Sequence, residues 1–180
     1  MKNKMEENKN SIDMNYNLKN IMVLGLDTMT KISNLNILII GCRGLGAETA
    51  KNLILTNVKS VTLYDPSIVS WQDLSSNFYL SESDVNQLSR AQSSFPKLRA
   101  LNNVVKVNVI ESLELKDFKG YDVVCFTEVL ESINQVIEAN EFCRNNGIGF
   151  ILSLSYGVTG FSFVDFGDDF TTYDVDGEEP

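Results

Sequence analysis

Residues 37–46 read Ile-Leu-Ile-Ile-Gly-Cys-Arg-Gly-Leu-Gly, an apolar run that enters a glycine-rich turn. This order is typical of a β-strand that leads through a phosphate-binding turn into a helix, with the pattern Gly-x-Gly-x-x-Gly. Gly41 and Gly46 occupy the outer glycine positions, whereas Arg43 occupies the middle one, where backbone N–H groups would otherwise meet phosphate oxygens. Asp65 ends the next apolar run, at the position from which an acidic side chain binds a ribose hydroxyl. The stretch therefore predicts a nucleotide-binding βαβ unit with an obstructed phosphate position.

The rest of the chain repeats the alternation of strand and helix. Continuous or alternating apolar runs predict strands, and apolar residues spaced by three and four predict helices. This alternation is typical of an α/β fold with a doubly wound, mostly parallel, Rossmann-like sheet flanked by helices. Strands are predicted at Asn36–Ile40, Ser60–Asp65, Val104–Glu111, Tyr121–Thr127 and Phe150–Ser155, with an edge strand around Phe161 and Phe163. Helices are predicted at Asn17–Ile32, Gly44–Val58, Trp71–Leu80, Ser89–Leu101 and Ser132–Asn145, with Pro96 kinking or interrupting the fourth.

The charge balance and the missing residue types exclude several classes of function. The 180-residue chain has a formal net charge of −9, so its electrostatic field repels nucleic acid and anionic membranes. It contains no histidine, which excludes His-based triads and His metal ligands. Its three cysteines lack Cys-x-x-Cys spacing, which argues against a zinc site. No stretch reaches the ~18 apolar residues of a membrane span. From the negative charge and the lack of such a stretch, we expect neither a nucleic-acid nor a membrane partner.

Composition divides the chain into three parts. Residues 1–15 are rich in lysine, glutamate and asparagine and are predicted to be disordered. Residues 16–167 carry the strand–helix pattern and are predicted to form one domain. From Asp165 onward the chain has seven acidic residues and no basic one. We expect the acidic segment 168–180 to lead into a longer protein, and a natural solvated tail is the alternative.

Seven short runs, spread in order along the chain, carry a family resemblance. They are Val23-Leu24-Gly25, Gly41-Cys42-Arg43-Gly44-Leu45-Gly46-Ala47-Glu48, Ala50-Lys51-Asn52, Val58-Lys59-Ser60-Val61-Thr62-Leu63, Asp73-Leu74-Ser75-Ser76-Asn77-Phe78-Tyr79-Leu80, Glu141-Phe142-Cys143 and Asp176-Gly177-Glu178-Glu179-Pro180. Together they resemble the amino-terminal segment of ubiquitin-activating enzymes, in which two MoeB/ThiF-like adenylation domains form a pseudo-dimer. The resemblance implies that this segment is the inactive half and that it ends where the first cysteine-domain insertion begins.

The resemblance also implies how the work is divided between the two halves. The active half binds ATP and magnesium and adenylates the carboxy-terminal glycine of ubiquitin. A cysteine-bearing domain then takes ubiquitin as a thioester and passes it to a conjugating enzyme. The inactive half is a structural partner of the active half, in the cytoplasm and the nucleus. We therefore expect this segment to bind no cofactor or metal, and to reach ubiquitin and conjugating enzymes only through the parent protein.

Residues that active members of the family use are replaced here. The resemblance implies an Asn-x-x-Arg-Gln arginine, a lysine that opens the next helix and an aspartate after the fourth strand, which hold the triphosphate and magnesium. The matching segments are Asn77-Phe78-Tyr79, which lacks an arginine, and Val85–Leu88, which lacks a cation, with Arg90 beyond it. Glu128 is the carboxylate close after the fourth predicted strand. With Arg43 in the glycine position, these replacements predict no intrinsic adenylation or ATP hydrolysis.

The remaining candidate residues have a functional and a structural interpretation. Arg43 could bind an anion at the helix start or pair on the surface, and Asp65 could bind ribose or cap nearby backbone; we favour the structural interpretation of both. Cys125 and Cys143 are expected to be unreactive thiols. Lys19 aligns with an arginine that, in the family, reaches into the partner half's nucleotide site, so Lys19 is a candidate cation supplied in trans. The predicted degenerate nucleotide loop consists of Gly41, Arg43, Gly44, Gly46 and Asp65.

The leading interpretation requires a face that docks on the active half. We expect this face on the amino-terminal helix and the Trp71–Leu80 segment, so the isolated chain should self-associate. Three alternatives stay open: the smaller subunit of a SUMO-type activating enzyme, a nicotinamide-dependent oxidoreductase on the same fold, and a free-standing interaction module. Arg43 and the missing histidine disfavour the oxidoreductase.

Overall fold

A six-stranded sheet forms the centre of the computed structural model. The structure describes residues 14–171, with the side chains of residues 14–17 and 19 left out. The strands are β1 (Asn36–Ile40), β2 (Ser60–Tyr64), β3 (Lys106–Val109), β4 (Val123–Phe126), β5 (Gly149–Tyr156) and β6 (Thr159–Asp165). Their order in the sheet is β3-β2-β1-β4-β5-β6. The first five run parallel, and β6 pairs antiparallel with β5 at one edge. This topology confirms the predicted doubly wound α/β fold and its edge strand.

Helices cover both faces of the sheet. The α-helices of the described residues are α1 (Met14–Leu24), α2 (Leu26–Ile32), α3 (Gly44–Leu55), α4 (Arg90–Arg99) and α5 (Ile133–Asn145). α3 and α4 pack on one face, and α5 packs on the other together with a 3-10 helix at Leu115–Gly120. The two faces have separate apolar cores, so the central strand contributes to both.

The apolar run of β1 is explained by its position between the two cores. Ile37 and Ile39 pack in the core beneath α3 and α4, whereas Leu38 and Ile40 pack in the core beneath α5. Successive side chains of a strand point to opposite faces, so a strand covered on both faces needs an apolar residue at each position. This requirement made β1 predictable with its bounds from the sequence.

The predicted helix at Trp71–Leu80 is wrong. Within it, Asp73–Ser75 form a short 3-10 helix, and turns account for most of the remainder. The carboxylate of Asp73 accepts hydrogen bonds from the N–H and hydroxyl of Ser70, at 2.9 and 2.8 Å. The side chain of Asn77 accepts the N–H of Tyr79 at 2.9 Å. These short polar side chains satisfy backbone groups locally and so favour turns over a helix.

Two further helix predictions need correction. The amino-terminal helix is not continuous over Asn17–Ile32, because Gly25 has a φ of +80° and separates α1 from α2. The predicted interruption at Pro96 is wrong, since α4 runs unbroken through this residue. The N–H of Ala100 still donates to the Pro96 carbonyl at 3.2 Å, so the following turn keeps its hydrogen bond.

The predicted terminal segments lie largely outside the described residues. Of the segment 1–15, only Met14 and Asn15 are described, and they begin α1. Of the acidic segment 168–180, only residues 168–171 are described. Within the described residues, no helix has the length and apolar content needed to cross a membrane.

Gly46 fixes the distance between α3 and β1. A Cβ at this position would lie 2.0 Å from the Gly41 carbonyl oxygen and 2.6 Å from the Thr127 hydroxyl oxygen. Real Cβ atoms do not approach backbone this closely, so a larger residue would push the helix away from the strand.

We predict that Gly46→Ala lowers the free energy of unfolding by about 2–4 kcal/mol, because the added methyl group overlaps backbone that cannot move aside. Urea unfolding followed by circular dichroism measures the change. Gly120→Ala is the matched control, because a Cβ there would meet nothing within 4 Å, and it should change stability by less than about 0.5 kcal/mol. Equal stabilities of the two variants would contradict the packing role of Gly46.

Candidate functional site

The carboxyl edge of the sheet brings the predicted site residues together. Gly41 follows β1, Asp65 follows β2 and Thr127 follows β4. The Gly41 N–H donates to the carbonyl of Tyr64 at 2.9 Å, and the Thr127 hydroxyl donates to the Gly41 carbonyl at 2.9 Å. The strand order reverses between β1 and β4, and doubly wound folds bind their ligands outside such a reversal. This edge is therefore the candidate nucleotide site.

The glycines of the turn are required by close packing within the chain. Gly41 has a φ of +94°, which favours glycine, and a Cβ there would lie 2.8 Å from the Glu128 Cβ. A Cβ on Gly44 would lie 2.9 Å from both the Cβ and the carbonyl oxygen of Ser76. Ser76 therefore lies against the first residue of α3. In a phosphate-binding turn this end of the helix faces the ligand.

Both carboxylate oxygens of Asp65 bind backbone N–H groups of the same chain. Oδ2 accepts the N–H of Cys42 at 2.7 Å, and Oδ1 accepts the N–H of Ser67 at 3.0 Å. The residue is 1% exposed. The structure therefore places Asp65 as a cap on the glycine-rich turn and on the chain that leaves β2.

The guanidinium of Arg90 is buried among three carboxylates. Its Nε lies 2.9 Å from Asp65 Oδ2, and its Nη2 lies 3.0 Å from Glu128 Oε2. Its Nη1 donates to Asp73 Oδ1 at 3.3 Å, and its Nη2 donates to Asp65 Oδ1 at 3.2 Å. Arg90 is 2% exposed. A buried cation is tolerated in a protein interior only when it is paired in this way.

Arg43 lies on the solvent-exposed side of the carboxylates that surround Arg90. Its Nε lies 3.2 Å from Glu128 Oε1 and 3.5 Å from Asp73 Oδ1, and its side chain is 58% exposed. Arg43 thus pairs on the surface, as the structural interpretation of the sequence expected. The residue in the middle glycine position and the residue that opens α4 share two of the same carboxylates. We call Arg43, Asp65, Asp73, Arg90 and Glu128 the Arg90 cluster.

Burial and pairing compete in setting the protonation of the Arg90 cluster. Burial raises the pKa of Glu128 in spite of the two neighbouring arginines. Burial also opposes ionisation of Asp73, but hydrogen bonds from Ser70 and the charge of Arg90 outweigh it and lower the pKa of Asp73. Burial alone would lower the pKa of Arg90, but Asp65 and Glu128 raise it, so the guanidinium remains charged. Three acidic and two basic groups leave the cluster slightly negative.

Sequence reasoning noted Arg90 beyond the cation-free segment Val85–Leu88 but did not include it among the site residues. Arg90 is the first residue of α4, and Val85–Leu88 lie before it. Ser89 and Gln92 form a capping box that starts the helix at this residue. That local pattern, a serine followed three residues later by glutamine, was the available signal. Nothing in the local sequence indicated that the side chain would turn inward.

Asn77 is a second residue whose place only the structure shows. Its Nδ2 donates to the Cys42 carbonyl at 2.7 Å and to the Ser94 hydroxyl oxygen at 3.0 Å. It is 1% exposed. Asn77 thus ties the segment after β2 to the glycine-rich turn and to α4.

The three cysteines, Cys42, Cys125 and Cys143, are buried thiols. Burial raises the pKa of Cys125 to about 11 and that of Cys143 to about 12. Burial also raises the pKa of Cys42, helped by the nearby Asp65 carboxylate. Thiols held in the neutral form are poor nucleophiles. Among the described side chains, no group of three His, Cys, Asp or Glu residues is arranged to hold a metal ion.

Lys19 lies in α1, and its side chain is outside the part of the chain that the structure describes. The predicted role of this lysine as a cation supplied in trans therefore stays a prediction.

Comparisons with known proteins agree with the fold of the chain. The model of the ThiF family matches residues 16–174. The chain belongs to the ThiF family. The MccB protein of E. coli, in a crystal structure with succinimide, shares the fold with a TM-score of 0.73 and 16% sequence identity, over 86% of this chain and 49% of that one.

Sequence relatives of this ThiF family chain are much longer ubiquitin-activating enzymes, which confirms the resemblance found in the sequence. The chain is 41% identical over 175 residues to ubiquitin-activating enzyme E1 1 of Schizosaccharomyces pombe, and the match covers 97% of this chain and 17% of that protein. It is 44% identical over 176 residues to ubiquitin-activating enzyme E1 1 of Arabidopsis thaliana, covering 96% and 16%. It is 38% identical over 181 residues to human ubiquitin-like modifier-activating enzyme 1, covering 99% and 17%. The matched part is the amino-terminal region of these enzymes.

We predict that Arg90→Met lowers the free energy of unfolding by about 3–5 kcal/mol, because three carboxylates would be left without their buried cation. The loss should shrink as the pH falls, since carboxyl groups that take up protons no longer need the cation. Urea unfolding at a series of pH values measures both effects.

Arg99→Met, in the same helix, is the matched control for this prediction. Arg99 is exposed and makes a cation–π contact with Phe95, 5.9 Å from the ring centroid, so its replacement should cost less than about 1 kcal/mol. An Arg90→Met variant as stable as this control would show that the Arg90 cluster does not hold the fold.

Proposed function

We propose that this chain is the amino-terminal, non-catalytic adenylation half of a ubiquitin-activating enzyme. The observation that carries the proposal is the position of Arg90 at the candidate nucleotide site. A triphosphate needs cations with free hydrogen-bond donors, whereas the guanidinium of Arg90 is buried and shared by three carboxylates of its own chain. A bound phosphate would have to displace these carboxylates and would meet their negative charge.

Other features of the same edge support the proposal. The resemblance implies a phosphate-binding arginine at the segment Asn77-Phe78-Tyr79. The next residue is Leu80, an apolar residue that is 8% exposed and packs beside Val69 and Val85. On the α5 side of the edge lies a cavity of about 190 Å³. Its lining includes Tyr64 and Phe126 but also three glutamates, Glu114, Glu131 and Glu138, which disfavour a triphosphate.

We further propose that exposed apolar residues of α1 and of the segment between β2 and α4 dock this chain on the active half. Trp71 is 64% exposed and Phe78 is 85% exposed, and Met22 and Val23 of α1 are also largely exposed. Large aromatic residues dominate the energetics of many protein interfaces. In this arrangement Lys19 of α1 supplies a cation to the active half. That half binds ATP and magnesium, and the parent protein engages ubiquitin and conjugating enzymes in the cytoplasm and nucleus.

The proposal predicts that the 180-residue chain binds ATP and magnesium with a dissociation constant above about 1 mM, because its cationic donors are already occupied. Isothermal titration calorimetry measures this directly. NADH titrated in the same way tests the oxidoreductase alternative and should also show no saturable binding. Magnesium-dependent binding of one ATP per chain at micromolar concentration would contradict the proposal.

Docking through the aromatic residues predicts that the isolated chain self-associates at high concentration, and that the double variant Trp71→Ala, Phe78→Ala shifts it towards monomer. Sedimentation velocity over a concentration series measures the effect. Tyr156→Ala is the control, since Tyr156 is exposed to the same 64% as Trp71 but lies at the end of β5. A chain that stays monomeric, or equal shifts from both variants, would count against this docking surface.

A further inference from the structure

The outer side of β3 is a free sheet edge. Within residues 14–171, β3 pairs with β2 alone. The Lys106 N–H donates to the carbonyl of Lys59, the residue before β2, at 3.2 Å, and the Ile110 N–H donates to the carbonyl of Leu63 in β2 at 3.1 Å. In a parallel pair, alternate residues of a strand direct their backbone groups to the same neighbour. The backbone N–H and C=O groups of Val107 and Val109 therefore point away from the sheet and are available to another strand.

A groove of about 570 Å³ runs along this free edge, between β3 and the end of α4. Among the described residues, its wall contains two cations and no carboxylate, in a chain whose net charge is −9. The lining residues are neutral or basic, and they include Phe95, Arg99, Lys106, Val107, Asn108 and Val109.

The two cations lie on opposite faces of the edge strand. The side chains of Val105 and Val107 pack into the core beneath α3 and α4, so Lys106, between them, points to the other face. Arg99 lies on the α4 side, where its guanidinium rests 5.9 Å from the Phe95 ring centroid. Both cations are exposed, and neither forms an ion pair with another described side chain.

We propose that the free edge of β3 binds an extended acidic segment of a partner protein as an added strand. The backbone of Val107 and Val109 supplies the strand hydrogen bonds, which give affinity without regard to sequence. Two consecutive acidic residues of the bound segment point to opposite faces, so one meets Arg99 and the other meets Lys106. This surface lies at the edge of the sheet away from β5 and β6, and it is independent of the nucleotide site and of the proposed docking through Trp71 and Phe78.

The probe for this surface is a blocked eight-residue peptide, Thr-Val-Thr-Glu-Glu-Thr-Val-Thr, with a Gln-Gln version as its uncharged counterpart. Nuclear magnetic resonance of the 180-residue chain follows backbone amide shifts and hydrogen exchange during the titration. We expect the Val107 and Val109 amides to gain protection from exchange when the Glu-Glu peptide binds. The Lys106 amide, which already donates to the Lys59 carbonyl, should change little. The Gln-Gln peptide should bind at least about fivefold more weakly.

Charge variants separate the local effect from the overall charge. Arg99→Glu with Lys106→Glu should weaken binding of the Glu-Glu peptide by about tenfold or more. Lys116→Glu with Lys119→Glu is the matched control, because it changes the net charge by the same amount at exposed positions on the α5 side of the sheet, and it should leave binding within about twofold.

Four results would overturn the proposal. They are equal weakening by the two double variants, no added protection of Val107 and Val109, undiminished binding of a peptide N-methylated at alternate residues, and tighter binding of single-stranded DNA than of the Glu-Glu peptide. The third would exclude strand addition, and the last would assign the surface to nucleic acid.

Discussion

The buried guanidinium of Arg90 is the constraint on which the carboxyl edge of the sheet depends. A cation removed from water must have anions at its donors, or the fold loses several kcal/mol. The anions come from separate parts of the chain: Asp65 follows β2, Asp73 lies in the segment beyond it, and Glu128 follows β4. One side chain at the start of α4 therefore holds two strand ends and the segment between β2 and α4 in a single arrangement.

Close contacts within the chain require the glycines of the glycine-rich turn. Gly46 lets α3 approach the Gly41 carbonyl, and Gly44 makes room for Ser76. Neither contact involves a ligand, yet both require the absence of a Cβ. Asp65, whose type and position suggest ribose binding, binds the N–H of Cys42 and of Ser67. A motif of this kind therefore identifies the βαβ unit reliably. What the unit can bind depends on whether its polar groups already have hydrogen-bond partners within the chain.

Charged and apolar residues are distributed unevenly over the surface of the described residues. The carboxyl edge holds the slightly negative Arg90 cluster and the glutamates of the neighbouring cavity. The free edge of β3 carries the cations Arg99 and Lys106. Exposed apolar residues lie elsewhere again, on α1 and on the segment that includes Trp71 and Phe78. The carboxyl edge, the free edge of β3 and the exposed apolar segments are thus separate surfaces of different chemistry.

The sequence by itself determined the βαβ unit, the alternation of strand and helix, and hence the doubly wound fold, because apolar periodicity and glycine spacing are local properties. It also pointed to Gly41, Arg43, Gly44, Gly46 and Asp65. It failed at Trp71–Leu80, where the periodicity suggests a helix but Asp73 and Asn77 bind backbone groups instead. Only the tertiary structure decided that Arg90 would be buried, since its partners lie 17 and 25 residues away in sequence at Asp73 and Asp65. Burial and charge pairing depend on which distant residues meet, and a local pattern does not contain that information.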